Sequence, residues 1–99
     1  PQVYALYANY PNPFNPSTMI PLSIPARSLD QLRRRSELTV HNALGQVVRA
    51  WDLSTWDAGF HTLMWDGRDA QGRSVASGVY LIGLRADHFV QVRKALLVR

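Results

Sequence analysis

The stretch Val79–Val98, VYLIGLRADHFVQVRKALLV, decides the fold. Tyr80, Ile82 and Leu84 recur at the two-residue period of a strand with one buried face. Ala86-Asp87-His88 closes a tight hairpin, and Phe89–Val98 runs back along the first arm. The returning arm changes phase, since Val90 and Val92 fall in one register and Ala95 and Leu97 in the other. A bulge near Arg93-Lys94 is therefore expected. Working outward, the same period marks Thr18–Ile24 (Ile20, Leu22 and Ile24 on one face), Glu37–Asn42 (Leu38, Val40) and Phe60–Trp65 (His61, Leu63, Trp65). Gln46–Leu53 carries Val47, Val48 and Trp51, with the inward valine left open by period alone. Ser74–Ala76 reads as a further short strand. Pro21 has no N–H, which places Thr18–Ile24 at a sheet edge or exposes that position. Gly45 suits the left-handed position of the Asn42–Gly45 loop, Asp57-Ala58-Gly59 and Ser77-Gly78 are turns, and the polar Arg27–Arg35 connection has room for one helical turn. Six or seven antiparallel strands at this spacing predict an all-β chain folded as an immunoglobulin-like antiparallel β-sandwich.

Two parts are expected. Residues 1–17 form a Pro/Asn-rich lead-in, and residues 18–99 form the sandwich. Pro11–Ser17 (PNPFNPS) holds three prolines, which suit neither a helix nor a central strand, so it is extended and turn-rich with Phe14 as its anchor in the core.

The chain has 99 residues, 46% apolar and 18% charged, and no cysteine. That is enough for one core, and it excludes disulfides, cysteine-ligated zinc or iron–sulfur, and cysteine nucleophiles. No apolar run approaches the roughly 18 residues of a membrane-spanning helix. The formal charge of +4 is uneven. Through Asp66 five arginines balance five carboxylates, whereas Arg68, Arg73, Arg85, Arg93, Lys94 and Arg99 face only Asp69 and Asp87 thereafter. No nucleic-acid motif accompanies this excess, so a nucleic-acid partner is not expected. Arg33-Arg34-Arg35, beside Asp30 and Glu37, reads as a solvated loop. Pro1–Asn9 lacks the basic and apolar regions of a signal peptide, and Pro1 is no initiator, so the chain is expected to be a piece of a longer protein.

No catalytic set emerges. His41 and His88 fall at an outward strand position and a turn, and His61 shares a face with Leu63 and Trp65, as a hydrogen-bonded core or interfacial histidine does. No histidine pair has metal-ligand spacing, no G-x-S-x-G is present, and no glycine-rich phosphate loop opens a helix. The loop Asp66–Gly72 (DGRDAQG) offers Asp66 and Asp69 as candidate calcium ligands. It lacks the alternating oxygen donors and distal Glu of a calcium loop, and aspartates hold such loops as Asx-turns without any ion. No cofactor is expected. Trp51 and Trp56 flank a polar loop and offer rings on which a sugar can stack.

Five motifs in order carry a resemblance. Tyr10–Thr18 (YPNPFNPST), with Pro11, Asn12, Pro13 and Phe14 at its centre, resembles the opening of the C-terminal sorting domains of the bacterial type IX secretion system, also described as flagellar hook-cap-like Ig domains. Leu38–Val48, with Gly45 in its turn, is similar to that family's strand–turn–strand, with His41-Asn42 where the family usually has Tyr-Asp. Gly59–Asp69, with His61, Trp65, Asp66 and Gly67, resembles its G-x-H…W-D-G segment; Ser77–Tyr80 its G-V-Y motif; and Lys94–Arg99 its terminal K-x-x-x-x motif, with Ala95 where Met or Val is frequent.

The resemblance implies an address rather than an activity. It implies a non-enzymatic module covalently linked to an upstream cargo domain, recognised by the outer-membrane secretion translocon and then by a sortase-like peptidase. It also implies secretion to the medium or cell surface through the periplasm of a Gram-negative bacterium. The residues expected to meet the translocon are Gly78, Val79, Tyr80, Arg93, Lys94, Leu96, Val98 and Arg99, on the last strands, of which the terminal one is offered for strand addition. Arg93, Lys94 and Arg99 are expected to set register or steer an acidic partner, so that changing all three to glutamine lowers export with the thermal midpoint nearly unchanged. The alternative is an accessory binding module contacting carbohydrate or a neighbouring catalytic domain through Trp51 and Trp56.

Overall fold

The computed structural model describes residues 1–32 and 34–99; Arg33, of the triple-arginine cluster, lies outside the described residues. Its strands are β1 (Ala5–Leu6), β2 (Thr18–Ile24), β3 (Ser36–Asn42), β4 (Val47–Asp52), β5 (Gly59–Trp65), β6 (Gly78–Ala86) and β7 (Phe89–Leu97). They form two antiparallel sheets, ordered β1-β2-β5 and β4-β3-β6-β7. The chain is an all-β, immunoglobulin-like sandwich. Its core is supplied by both sheets: Ile20, Leu22, Ile24 and Trp65 from the smaller one, and Leu38, Val40, Ile82, Leu84 and Leu97 from the larger, all removed from solvent. The short helix α1 (Leu29–Leu32) occupies the β2–β3 connection. Ser28 opens it as a reciprocal cap, its N–H donating to Gln31 Oε1 (2.9 Å) and its Oγ accepting from Gln31 N–H (3.3 Å). Gly45 takes φ +83° in the β3–β4 loop, as a left-handed position requires.

The structure differs from the sequence reading at four places. β2 is the central strand of its sheet rather than an edge, and of the two alternatives for Pro21 it is the exposed position that holds. Pro21 is accommodated because β1 stops beside it: Tyr7 N–H donates to Pro21 O (3.0 Å), Pro21 has no N–H to return, and the chain leaves the ladder until Tyr10 pairs with Met19. β1 itself had no sequence signal, being two residues long. Ser74–Ala76 is not a strand; Ser74 only bridges Arg68.

The fourth difference matters most for function. There is no bulge at Arg93-Lys94, because β6 and β7 keep one register from Gly78↔Leu97 to Ala86↔Phe89. The inward residues are Phe89, Gln91, Arg93, Ala95 and Leu97, and Val90 and Val92 lie on the outer face, 57% and 53% exposed. Polar residues fill the inward phase at the mouth of the sandwich because β1 satisfies them: Leu6 N–H donates to Gln91 Oε1 (3.0 Å) and Arg93 Nε donates to Leu6 O (3.0 Å). The register shift sits instead in β3–β4, between Val40 and His41, turning Val48 onto the core and leaving Val47 exposed.

Candidate functional site

β7 is an edge strand, and half of its open side is occupied. Phe14 N–H donates to Leu96 O (2.9 Å) and Val98 N–H donates to Phe14 O (2.9 Å). The Asn12 amide completes the strap, Nδ2 donating to Lys94 O and Oδ1 accepting from Leu96 N–H, both at 3.0 Å. These bonds show that the even-numbered residues of β7 turn their peptide groups outward. At Val90 and Val92 no residue of the described chain meets those groups. The edge is thus closed at its C-terminal half and open at its N-terminal half.

The strap holds because Phe14 is a core residue, 2% exposed, with its ring 5.5 Å from that of Trp65. Trp65 in turn meets Tyr80 edge-on at 5.3 Å. Three sequence motifs far apart in the chain therefore become one aromatic row. Trp65 Nε1 donates to Arg68 O (3.0 Å), and Tyr80 donates its hydroxyl to Ala76 O. Burial pushes the Tyr80 phenol up, against the opposing effect of the Arg99 charge.

Asp66 and Asp69 shape the turn beside this row. Asp66 Oδ1 accepts from Arg68 N–H (3.1 Å) and Arg49 Nη1 (3.4 Å). Asp69 Oδ1 accepts from Gln71 and Arg73 N–H, both at 3.0 Å, and Oδ2 meets Arg73 Nε at 3.2 Å. The Arg73 backbone bond leads in holding the Asp69 carboxyl below its usual range. Both carboxylates are engaged as turn acceptors. Among the described residues no three of His, Asp and Glu converge on a metal position.

Of the eight residues expected to meet a translocon, Val79, Lys94, Leu96 and Val98 share the outer face of β6–β7 and its continuation, while Tyr80 is buried. Arg93 and Arg99 are committed internally, Arg93 to β1 and Arg99 to Gly67 O (2.6 Å), Val75 O (2.7 Å) and Ser77 Oγ (2.9 Å, from its backbone N–H). The three terminal cations are therefore not equivalent. Gln91 was missed by sequence reasoning, and Asn12 was singled out only as part of the opening motif, since a lone amide carries no pattern that would reveal its bonds to β7. His61 is half-buried at the far end of β5, with Nε2 2.7 Å from Asp57 O and its ring 5.2 Å from Trp56. Trp51 carries the Arg49 guanidinium over its ring at 4.7 Å. Beside it, β4 and the 69–76 loop enclose an open cleft of about 640 Å³ floored by Val48, Val75 and Tyr80.

The sequence profile of the FlgD Ig-like domain matches residues 26–88. The chain belongs to the FlgD Ig-like domain family. The basal-body rod modification protein FlgD of Salmonella typhimurium is 33% identical over 60 residues, 61% of this chain and 26% of that protein. The chain thus spans about a quarter of the length of the curated relatives it matches. Two solved structures from Porphyromonas gingivalis share the fold of this FlgD-type domain. PorZ, an essential bacterial surface component of the type IX secretion system, superposes with a TM-score of 0.65 at 20% identity, covering 96% of this chain and 12% of its own. Dimeric latent PorU superposes with a TM-score of 0.67 at 16% identity, covering 99% of this chain and 9% of its own. The FlgD profile stops short of β7 and begins after the strap, but truncated FlgD of Helicobacter pylori superposes over 90% of this chain and 63% of its own, with a TM-score of 0.61 at 16% identity.

Proposed function

We propose that this FlgD-type Ig domain is a non-catalytic sorting and anchoring module of a larger exported protein, read by a type IX outer-membrane translocon on its last strands. In this reading the cargo is attached through the lead-in of residues 1–17, which itself gives β1 and Phe14 to the sandwich, a sortase-like peptidase acts after translocation, and the route runs through the periplasm of a Gram-negative bacterium to the surface or medium. The observation that carries it is the locking of the strap onto β7 through Phe14. The two ends of the chain, which hold the motifs that resemble the opening and end of sorting domains, make one structural unit outside the stretch the FlgD profile matches. The superposition of PorZ over 96% of the chain supports the same reading. A half-open strand edge beside exposed apolar side chains suits recognition by strand addition.

The test is to append residues 1–99 to an inert reporter in a host with this secretion machinery. Export to the surface is expected, and a Lys94→Gln variant that stays folded is expected to be exported less. A reporter retained in the periplasm with the folded wild-type domain sinks the proposal. A second reading, a part in flagellar basal-body assembly, is favoured by the 33% identity to FlgD over 60 residues. It predicts that grafting this domain into a FlgD-deficient flagellated host in place of FlgD's own Ig domain restores motility, which the sorting reading does not.

A further inference from the structure

The outer face of the three-stranded sheet carries no charged side chain. Its β2–β5 half is set by the register pairs Ser23↔Phe60, Pro21↔Thr62 and Met19↔Met64, in the outward phase that alternates with the buried Ile20, Leu22 and Ile24. β1 and its continuation add Ala5 opposite Ser23, Tyr7 bonded to Pro21, and Tyr10 bridged to Met19. Phe60 is 72% exposed and Met64 55%, and Met19 and Met64 are the only methionines in the chain. The outer face of the larger sheet is different, since Glu37, Asp52, Arg85 and Lys94 all lie on it. A surface without charge that presents phenylalanine, tyrosine and methionine has the composition of an interface core.

Two observations say what covers it. The first is size. Three strands at about 4.8 Å and three outward rows at about 6.8 Å span roughly 300 Å² of sheet, or about 600 Å² with a complementary surface. A stable complex between free proteins buries about 1,200 Å² or more, twice what this face supplies. Contacts between domains of one chain begin at about 600 Å², because the covalent link provides the effective concentration that area does not. The second is the path of the lead-in. Ser23 Oγ donates to Val3 O (2.9 Å), and this cover leaves Ser23 1% exposed although it lies in the outward phase. Ser23 is directly opposite Phe60. The chain thus enters the fold across this face. A domain joined ahead of Val3 is held beside Phe60, each residue of the link adding at most about 3.5 Å of reach.

We propose that this uncharged face seats the preceding domain of the same polypeptide, which covers Phe60 and Met64 with an apolar surface of its own. The inference rests on the sorting reading only in taking from it that a cargo domain lies upstream. The two sheets then have separate partners, cargo on the smaller and the translocon at β6–β7 of the larger.

Met64 supplies the readout, because hydrogen peroxide converts an accessible methionine to its sulfoxide and spares a covered one. Sulfoxide at Met64 is followed by mass spectrometry in the purified natural polypeptide and in residues 1–99 alone. Oxidation is expected to be slower by about tenfold or more in the natural polypeptide, and to rise to the rate of 1–99 after cleavage at a protease site inserted ahead of Pro1. Phe60→Glu in the natural polypeptide is expected to release Met64 in the same way, with the thermal midpoint of 1–99 nearly unchanged. Equal rates in the natural polypeptide and in 1–99 overturn the proposal, and so does protection that survives cleavage and dilution. Slow oxidation in 1–99 alone that rises on dilution makes the occupant a second copy of this chain and also overturns it. If Phe60→Glu fails to fold, the cleavage arm decides on its own. The inert-reporter fusion separates this inference from the reading it rests on. Wild type and Phe60→Glu are expected to be exported equally, and a loss confined to Phe60→Glu makes the face a translocon contact and overturns the seat. A retained wild-type reporter with Met64 protected in the natural polypeptide overturns the sorting reading alone.

Discussion

Arg99 reaches back over 32 residues to Gly67, its Nη2 lying 2.6 Å from the glycine carbonyl oxygen. Gly67 can be approached this way because it has no side chain. Its φ is +72°, and a Cβ would stand 2.7 Å from Pro16 O and 3.0 Å from Arg99 Nη2. Gly67→Ala therefore adds left-handed strain to a clash with backbone that cannot swing aside. We expect a loss of about 2–4 kcal/mol, a fall in thermal midpoint of roughly 10 °C or more. Gly72→Ala, also at positive φ but with open space around its Cβ, is the control and is expected to lose about 1 kcal/mol. Equal losses at the two positions would refute the packing part of this account.

Phe14 ties the lead-in to the sandwich by its ring and to β7 by its backbone. Phe14→Ala removes a side chain that is 2% exposed and leaves Trp65 facing a cavity. The expected loss is about 3–5 kcal/mol, a large fraction of a small domain's stability. Urea unfolding followed by tryptophan fluorescence measures it. Phe14→Leu, which keeps most of the packing, is expected to recover at least half of that loss.

The strand pattern was legible wherever apolar residues sit on one face, as in Ile20-Leu22-Ile24, Leu38-Val40 and Tyr80-Ile82-Leu84, and so was the burial of Phe14. The phase of β7 was not. Val90 and Val92 imitate a core face, while the true inward positions Gln91 and Arg93 are polar because they bind the backbone of Leu6, 85 and 87 residues away. β1 escaped for the same reason, since two residues have no period and their pairing is decided by tertiary contacts.

Carbohydrate stacking needs a bare aromatic face. Trp51 has the Arg49 guanidinium over its ring, and both Trp51 and Trp56 pack against the core. Titration with glucose, mannose or cellobiose is expected to leave tryptophan fluorescence unchanged. Saturable quenching would revive the accessory-module alternative.

The Asp69 carboxyl is held low first by the Arg73 backbone bond and then by its other partners, and Asp52 is held low by Ser54. Each group's native pKa lies below its ordinary value of 3.8, so between the two values the unfolded chain binds more protons. Stability from these carboxylates is present above that ordinary value and is lost as pH falls through the native one. The thermal midpoint should hold down to about pH 5 and decline below it. Asp69→Asn keeps the turn acceptor but cannot titrate, so its midpoint starts lower and falls less steeply. A variant that tracks the wild-type slope in acid counts against this assignment.

The three terminal cations, which the sequence treats alike, should separate on substitution. Arg93→Ala leaves Leu6 O without its donor and opens the β1 end of the sandwich, so a loss of about 1–3 kcal/mol is expected. Arg99→Ala, which frees the carbonyl of Val75 and leaves Gly67 O with the Val75 N–H alone, should lose a similar amount. Lys94 uses only its backbone carbonyl, to Asn12, and its side chain is exposed, so Lys94→Gln is expected to stay within about 0.5 kcal/mol of wild type. The triple glutamine variant therefore lowers the thermal midpoint, contrary to what the sequence alone suggests, and Lys94→Gln is the clean probe of export. A drop in export with an unchanged midpoint in that single variant assigns Lys94 to recognition. Unchanged export leaves the steering role to Arg85, and unchanged export in Arg85→Gln as well removes electrostatic steering from the mechanism.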